Sequence, residues 1–414
     1  MKFRFNETKK SRFLKQITRR DLLKGSGLAA LTGVAGCQKT DSTEKIRIPI
    51  PTYESIGVKP IINCWGTLTR LSGSLTLPEV KLAMTEAGKH YVPVDELMEG
   101  VGRRLAELTG AEWGMITCGC AAALAGSTAA CIAGTDLEKM ALLPDTRGMK
   151  NEVVVASNHR NTYDRAIWMV GAKRIEVESN KDAMEAAINE KTALITCFGS
   201  GFDRDGITLE EVVSIGKKHG IPTLVDAAAE RLFSPDFYIK AGIDLVAYSG
   251  GKALRGPQSS GMLLGRKDLV HAAFMNLAPH HSYGRPMKAG KEDVMGLLTA
   301  VDLWFNGRDH DAEWKEWERR LAYIGEKVSE IPSVKTDIVQ PKRRADKYPT
   351  LSIDWDQNTV KLNPDEARSQ LARGNPRIAL YSRSTGIGIS PWMMEESEEI
   401  IVAQRISEVL SSAV

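Results

Sequence analysis

Between about residues 61 and 305, short apolar runs alternate with longer amphipathic stretches, and no other feature of this 414-residue chain narrows its fold so far. The runs are Met115–Thr117, Val153–Ala156, Arg174–Val177, Ala193–Phe198, Thr223–Val225, Leu245–Tyr248 and Gly261–Leu264. Helix-like segments lie between them, among them Val80–Lys89, Leu97–Leu108, Ala121–Ala133 and Leu209–His219. A strand that is apolar on both sides is buried on both sides, as happens when crossover helices cover both faces of an open sheet. The pattern predicts an α/β fold with a large domain, 61–305, built on a mostly parallel sheet. Right-handed crossovers then bring functional groups to the carboxyl ends of the strands.

From about residue 306 the texture changes. A charged helical region, Asp309–Ile331, precedes a strand at Thr350–Ile353, a helix at Pro364–Leu371, a strand at Ile378–Tyr381 and a last helix at Glu395–Ser411. This predicts a smaller α+β C-terminal domain, 306–414. Residues 38–60 are polar, contain proline and show no sustained period, so they read as a tether and N-terminal segment.

The first 37 residues read as an address. Thr18-Arg19-Arg20-Asp21-Leu22-Leu23-Lys24 matches the twin-arginine export pattern, and the weakly apolar stretch from Leu28 to Gly36 is too short to span a bilayer permanently. It closes on Val34-Ala35-Gly36-Cys37, a lipoprotein cleavage box with Cys37 as the acylated residue. The expectation is a periplasmic or membrane-anchored protein whose membrane contact is the Cys37 lipid.

Residues 1–36 hold nine Lys or Arg and two Asp or Glu, so the whole-chain charge of +3 becomes −4 for residues 37–414. The mature chain therefore has no basic excess with which to attract nucleic acid. Beyond Cys37 there remain Cys64, Cys118, Cys120, Cys131 and Cys197. An odd number in apolar context predicts buried free thiols rather than a disulfide framework. The spacing Cys118-Gly119-Cys120 suits neither a zinc knuckle nor a redox pair, and no metal site is expected.

The chemistry-bearing pair is Lys252, in Ser249-Gly250-Gly251-Lys252, and Asp226, which ends Pro222-Thr223-Leu224-Val225-Asp226. An amine that forms a Schiff base with an aldehyde, and a carboxylate that keeps a pyridine nitrogen protonated, are what pyridoxal 5'-phosphate requires of a protein. A strand-end lysine alone is usually solvated; the flanking glycines and the upstream aspartate favour the catalytic reading.

Gly119, Cys120 and Ala121 open a small-residue helix after a strand, where free N–H groups at the positive helix end could close around a phosphate. Tight helix–sheet packing would give the same pattern. Ser249 could add a hydroxyl. His159, in Asn158-His159-Arg160-Asn161-Thr162-Tyr163-Asp164, is placed to stack on the ring or shuttle protons, or to serve structure alone. Arg70, Arg255, Arg285 and Arg383 are candidates for a clamp on a substrate carboxylate or phosphate.

Ser249-Gly250-Gly251-Lys252 followed by Gly256-Pro257-Gln258-Ser259-Ser260-Gly261 resembles the lysine segment of the bacterial L-seryl-tRNA(Sec) selenium transferase family. Pro60-Ile61-Ile62-Asn63 and Gly284-Arg285-Pro286-Met287-Lys288 are similar to its other signature stretches. The likeness covers residues 53–305 well and the C-terminal part loosely. It implies the fold type I, aspartate aminotransferase-like architecture and an assembly of at least two chains. It also implies that Lys252 is the Schiff-base lysine and Asp226 the pyridine-nitrogen partner. The tRNA-acting members carry a substantial N-terminal domain, whereas about fifteen residues separate Cys37 from Tyr53 here. The resemblance is therefore nearer to the short members similar to D-glucosaminate-6-phosphate ammonia lyase.

The function expected is that of an exported pyridoxal phosphate enzyme acting on a small amino acid or amino sugar acid. Elimination is the leading reaction, with Lys252, once released by substrate, as base at Cα and His159 assisting. Selenium transferase-like, transaminase or racemase chemistry shares the first steps, and a surface lipoprotein that kept the fold without catalysis is the alternative of another class.

Overall fold

The computed structural model describes residues 50–342 and 348–414. The twin-arginine stretch and Cys37 lie outside the described residues. Residues 50–56 contain one 3-10 turn, Glu54–Ile56, in which Thr52 and Ser55 exchange backbone-to-hydroxyl hydrogen bonds of 3.0 and 3.2 Å.

In residues 57–414 the strands are β1 (Ile61–Asn63), β2 (Trp113–Thr117), β3 (Glu152–Ala156), β4 (Lys173–Val177), β5 (Thr192–Phe198), β6 (Thr223–Asp226), β7 (Leu245–Ser249) and β8 (Gly261–Gly265). They continue with β9 (Lys335–Val339), β10 (Thr350–Asp354), β11 (Arg377–Ala379), β12 (Tyr381–Ser382) and β13 (Gly386–Ile389). Seven of them form one sheet in the order β2-β8-β7-β6-β5-β3-β4. All seven apolar runs became these strands. Six point the same way, while β8 pairs antiparallel with both β7 and β2. The reversal has a local cause: residues 250–260 join β7 to β8 without a crossover helix, so the chain turns back beside the strand it has just left.

The sheet is buried on both faces. Val153, Val154, Leu194, Leu224, Val246, Met262 and Leu263 have no exposed surface, and the helices Val94–Thr109, Gly119–Ala133 and Leu209–His219 pack over β2, β7–β8 and β6. The last of these begins with a reciprocal cap: Thr208 Oγ1 accepts from the Glu211 N–H and the Glu211 carboxylate accepts from the Thr208 N–H. That cap sets the helix whose end feeds β6, and β6 ends on Asp226.

A second core gathers Leu321, Ile324 and Val328 with Leu351, Ile353, Ile387, Ile389, Val402 and Ile406. Its four-stranded antiparallel sheet runs β12-β13-β10-β9; the helix His310–Val328 packs on β9 and β10, the helix Pro364–Arg373 on β12 and β13, and the helix Glu398–Ser411 packs on both helices. β1 pairs in parallel with β11, so Ile62 and Cys64 belong to this core. The segment Ile378–Tyr381, expected as one strand, divides at buried Leu380. Arg377–Ala379 pairs with β1, and Tyr381–Ser382 pairs with β13. Among the described residues no helix is long and apolar enough to cross a membrane.

Candidate active site

The heads of β6 and β7 are clipped together. The Asp244 carboxylate accepts from the Thr223 N–H at 2.8 Å and its hydroxyl at 2.9 Å, and the Asp244 N–H donates back to the Thr223 hydroxyl at 3.0 Å. The clip fixes a register in which Asp226 faces Ala247, and the Ala227 N–H bonds the Ala247 carbonyl at 2.9 Å. Both strands therefore end at one rim, with Asp226 on the first and the lysine loop leaving the second.

That loop is tied down by its backbone. The Gly250 N–H bonds the Ser260 carbonyl at 2.9 Å, the Gly256 N–H bonds the Gly250 carbonyl at 2.9 Å, and the Ser74 N–H bonds the Gly251 carbonyl at 3.2 Å. A Cβ on Gly251 would lie 2.7 Å from the Cα of Gln258, so the glycine ahead of the lysine is required by close approach. Lys252 is half-buried, and its Nζ lies 5.8 Å from the centre of the Tyr163 ring.

Asp226 is 4% exposed and takes part in no ion pair among the described residues. Its Oδ1 accepts from the Ala228 N–H at 3.1 Å and from the Cys120 thiol at 3.7 Å. Burial pushes its carboxyl above the ordinary carboxylate range, the Ala228 N–H and the Lys252 ammonium pull it back, and Asp164 adds an upward push. Lys252, Asp226, Cys120 and Asp164 thus share one electrostatic neighbourhood.

The helix start expected as a phosphate cup begins at Gly119, with no side-chain cap on its first N–H groups. Gly261 of β8 stands opposite both Thr117 and Ser249, and a Cβ there would sit 2.3 Å from the Gly119 carbonyl carbon and 2.4 Å from the Cys120 nitrogen. The sheet therefore brings Gly119, Cys120 and half-buried Ser249 to one place, and exposed Ala121 follows on the helix.

His159 is 2% exposed. Its Nδ1 lies 3.0 Å from the Phe198 carbonyl and 3.2 Å from the Phe198 N–H, and Phe198 stands beside Asp226 in the β5–β6 register. Burial pushes the imidazole down to about 4, so it is neutral near pH 7, and its Nε2 is buried without a partner among the described residues. The Phe202 ring packs edge-on against it at 4.5 Å.

The arginines fare differently. Arg70 is exposed and lies over the Trp65 ring at 4.1 Å, and Arg383 is exposed beside Asp354 at 3.7 Å. Arg285 is half-buried and takes part in no ion pair among the described residues. Arg255 donates to the Leu75 carbonyl at 2.9 Å and to Glu395 at 3.2 Å. Sequence reasoning missed Arg231 and Arg308, which line a cavity beside Ala253, and it gave Tyr163 no role. The one available signal was position: Arg231 follows Asp226 by five residues.

These residues fit pyridoxal phosphate. Among the described residues a buried carboxylate lacks a cation in contact and a buried imidazole nitrogen lacks a partner, and a helix start is kept open by a glycine of the neighbouring strand. A lysine on the loop that leaves one strand and a buried aspartate that ends its neighbour, at one rim of a mostly parallel α/β sheet, define the class, a fold type I pyridoxal phosphate enzyme.

The family model described as L-seryl-tRNA selenium transferase matches residues 167–281. D-glucosaminate-6-phosphate ammonia lyase of Salmonella typhimurium (strain 14028s / SGSC 2262) is 31% identical over 376 residues, 87% of this chain and 98% of that one. A 5'-C-glycyluridine monooxygenase-decarboxylase of Streptomyces sp is 31% identical over 373 residues, 86% of this chain and 92% of the other. A solved structure of D-glucosaminate-6-phosphate ammonia-lyase matches at a TM-score of 0.79 and 30% identity, over 88% of this chain and 99% of that one. The chain belongs to the L-seryl-tRNA(Sec) selenium transferase-like family of pyridoxal phosphate enzymes, in the short branch similar to D-glucosaminate-6-phosphate ammonia lyase.

Proposed function

We propose that this protein is a lyase that releases ammonia from an amino sugar acid, working outside the cytoplasm as a lipid-anchored assembly of at least two chains. The observation that carries the reaction is that buried Asp226 ends β6 while Lys252 stands on the loop leaving neighbouring β7, near enough for its charge to draw the Asp226 carboxyl down. The relative named for ammonia release, 31% identical over 98% of its length, supports the lyase reading.

Pyridoxal phosphate, when bound, supplies an electron-withdrawing ring that stabilises charge developing at the substrate's α carbon. Gly119, Cys120, Ala121 and Ser249 would hold its phosphate, Asp226 its ring nitrogen, and neutral His159 one ring face. Lys252 Nζ would take the proton from Cα and could pass it to the hydroxyl that leaves Cβ as water. Asp226, already fixed by the Ala228 N–H, has a charge whose burial is tolerated only beside a cation. Water lost at Cβ returns when the nitrogen is hydrolysed away, so the balance is one ammonia released and a 2-keto-3-deoxy acid left.

The test is to incubate the holoenzyme with D-glucosaminate and with its 6-phosphate and to assay ammonia and the keto acid. Cofactor-loaded protein that releases ammonia from neither defeats the lyase reading. The address is supported by Arg19-Arg20 and Cys37. Mass spectrometry of the mature protein should find Cys37 as the acylated first residue, and an intact N-terminus would remove it.

A further inference from the structure

The turn between β3 and the helix Arg165–Trp168 carries an aromatic ring that has no part in the Lys252, Asp226 and His159 chemistry. Its backbone is braced. The Asn161 side-chain oxygen accepts from the Tyr163 N–H at 2.7 Å and from the Asp164 N–H at 3.1 Å, and the Ala166 N–H donates to the Tyr163 carbonyl at 3.3 Å. Arg160 pairs with the buried carboxylate of Asp164 and with Glu176. On this held turn Tyr163 is 68% exposed, and Lys252 Nζ stands over its ring, 5.8 Å from the centre.

An ammonium gains from an aromatic face only within about 6 Å of its centre, so at this separation the ring does little for Lys252 itself. The gap has a size that suits something else. A carbon packs on an aromatic face at about 3.5–4 Å, and a carbon two bonds from a nitrogen lies about 2.5 Å from it. A substrate amine that comes to where Nζ stands therefore sets its β carbon, and the chain beyond, against the Tyr163 face. The carboxylate goes elsewhere, because the face carries the negative end of the ring quadrupole and accepts C–H groups rather than an anion.

We propose that the face of Tyr163 is a specificity surface on which the carbon chain of the substrate lies from its β carbon outward, a claim that rests on reading this chain as an amino sugar acid enzyme. The ring then selects for chain length: a six-carbon amino sugar acid covers it, and a three-carbon amino acid leaves most of it in water.

The test titrates holoenzyme and reads dissociation constants from the initial absorbance change of the bound cofactor. One ligand is D-glucosaminate or its 6-phosphate, whichever binds wild type more tightly. The other is D-serine, which shares the amine, carboxylate and β-hydroxyl and ends at that carbon. Tyr163→Ala should weaken the six-carbon ligand about ten- to fiftyfold and D-serine less than about threefold. Tyr163→Phe keeps the face and should bind both within about threefold of wild type. A ring this exposed can be removed without opening the core, and thermal unfolding of both variants checks that. Equal weakening of both ligands by Tyr163→Ala overturns the proposal, because the ring would then act through Lys252. So does a loss in Tyr163→Phe as large as in Tyr163→Ala, which would assign the contact to the hydroxyl, and so does a wild type that responds to neither six-carbon ligand. Ammonia is no part of this readout: Tyr163-dependent binding with no ammonia released removes the lyase reading and leaves the surface standing, whereas ammonia release with equal weakening of both ligands removes the surface alone.

Discussion

The thiol of Cys120, second residue of the helix Gly119–Ala133, lies 3.7 Å from Oδ1 of Asp226 at the end of β6. The two ends of the site, helix start and strand end, are therefore in contact. Burial first, and then the Asp226 charge, push the Cys120 thiol well above its usual range, so it stays protonated and donates. Iodoacetamide should label Cys120 far more slowly in the native protein than after unfolding, as peptide mapping can measure. Cys120→Ser should keep the contact and cofactor retention, whereas Cys120→Asp, placing a second carboxylate against Asp226, should lose the cofactor. Rapid native labelling of Cys120 would contradict this arrangement.

Asp226→Ala should leave the sheet intact and lower turnover. Removing one partner of a buried charged pair costs about 2–4 kcal/mol, or between about thirtyfold and a thousandfold in kcat/KM. Asp226→Asn should behave similarly, because the amide keeps the shape and drops the charge. Steady-state kinetics on both variants decides it; full activity in either removes the aspartate from the mechanism.

Gly261→Ala places a methyl group 2.3 Å from the Gly119 carbonyl carbon, where backbone rather than a mobile side chain must yield. Overpacking of this kind costs about 1–3 kcal/mol. The variant should melt lower and lose cofactor on gel filtration. A wild-type melting temperature with full cofactor occupancy would show that β8 and the helix start do not touch as described.

The neutral imidazole of His159 makes stability depend on pH. Its folded value, about 4, lies below the ordinary 6.5, so the unfolded chain binds the extra proton first. The contribution is complete above about pH 6.5 and is lost as the pH falls towards 4, amounting to about 3 kcal/mol. The stability gap between wild type and His159→Gln should narrow across that window in thermal unfolding. A gap independent of pH would mean that the imidazole is not buried neutral.

Much of this was legible before any coordinates. Runs such as Leu224-Val225 and Val153-Val154-Val155 are apolar on both sides, so they could only be interior strands, and Asp226 then had to fall at a strand end. Strand direction is not written in periodicity, so the reversal of β8 was invisible, as was the division at Leu380, where each half pairs with a different sheet. Candidate arginines could be chosen by position alone. Which of them is spent on a carboxylate is a property of three dimensions: Arg255 found Glu395 and Arg383 found Asp354, while Arg231 found neither hydrogen bond nor ion pair among the described residues.

The central claim is that the Lys252 amine carries the cofactor opposite Asp226. Borohydride reduction of the holoenzyme, followed by peptide mass spectrometry, tests it most directly. A phosphopyridoxyl group fixed on Lys252 in wild type, and absent from Lys252→Ala under the same treatment, is the predicted result. Reductive labelling of another lysine in wild type, or labelling that Lys252→Ala leaves unchanged, would contradict the account.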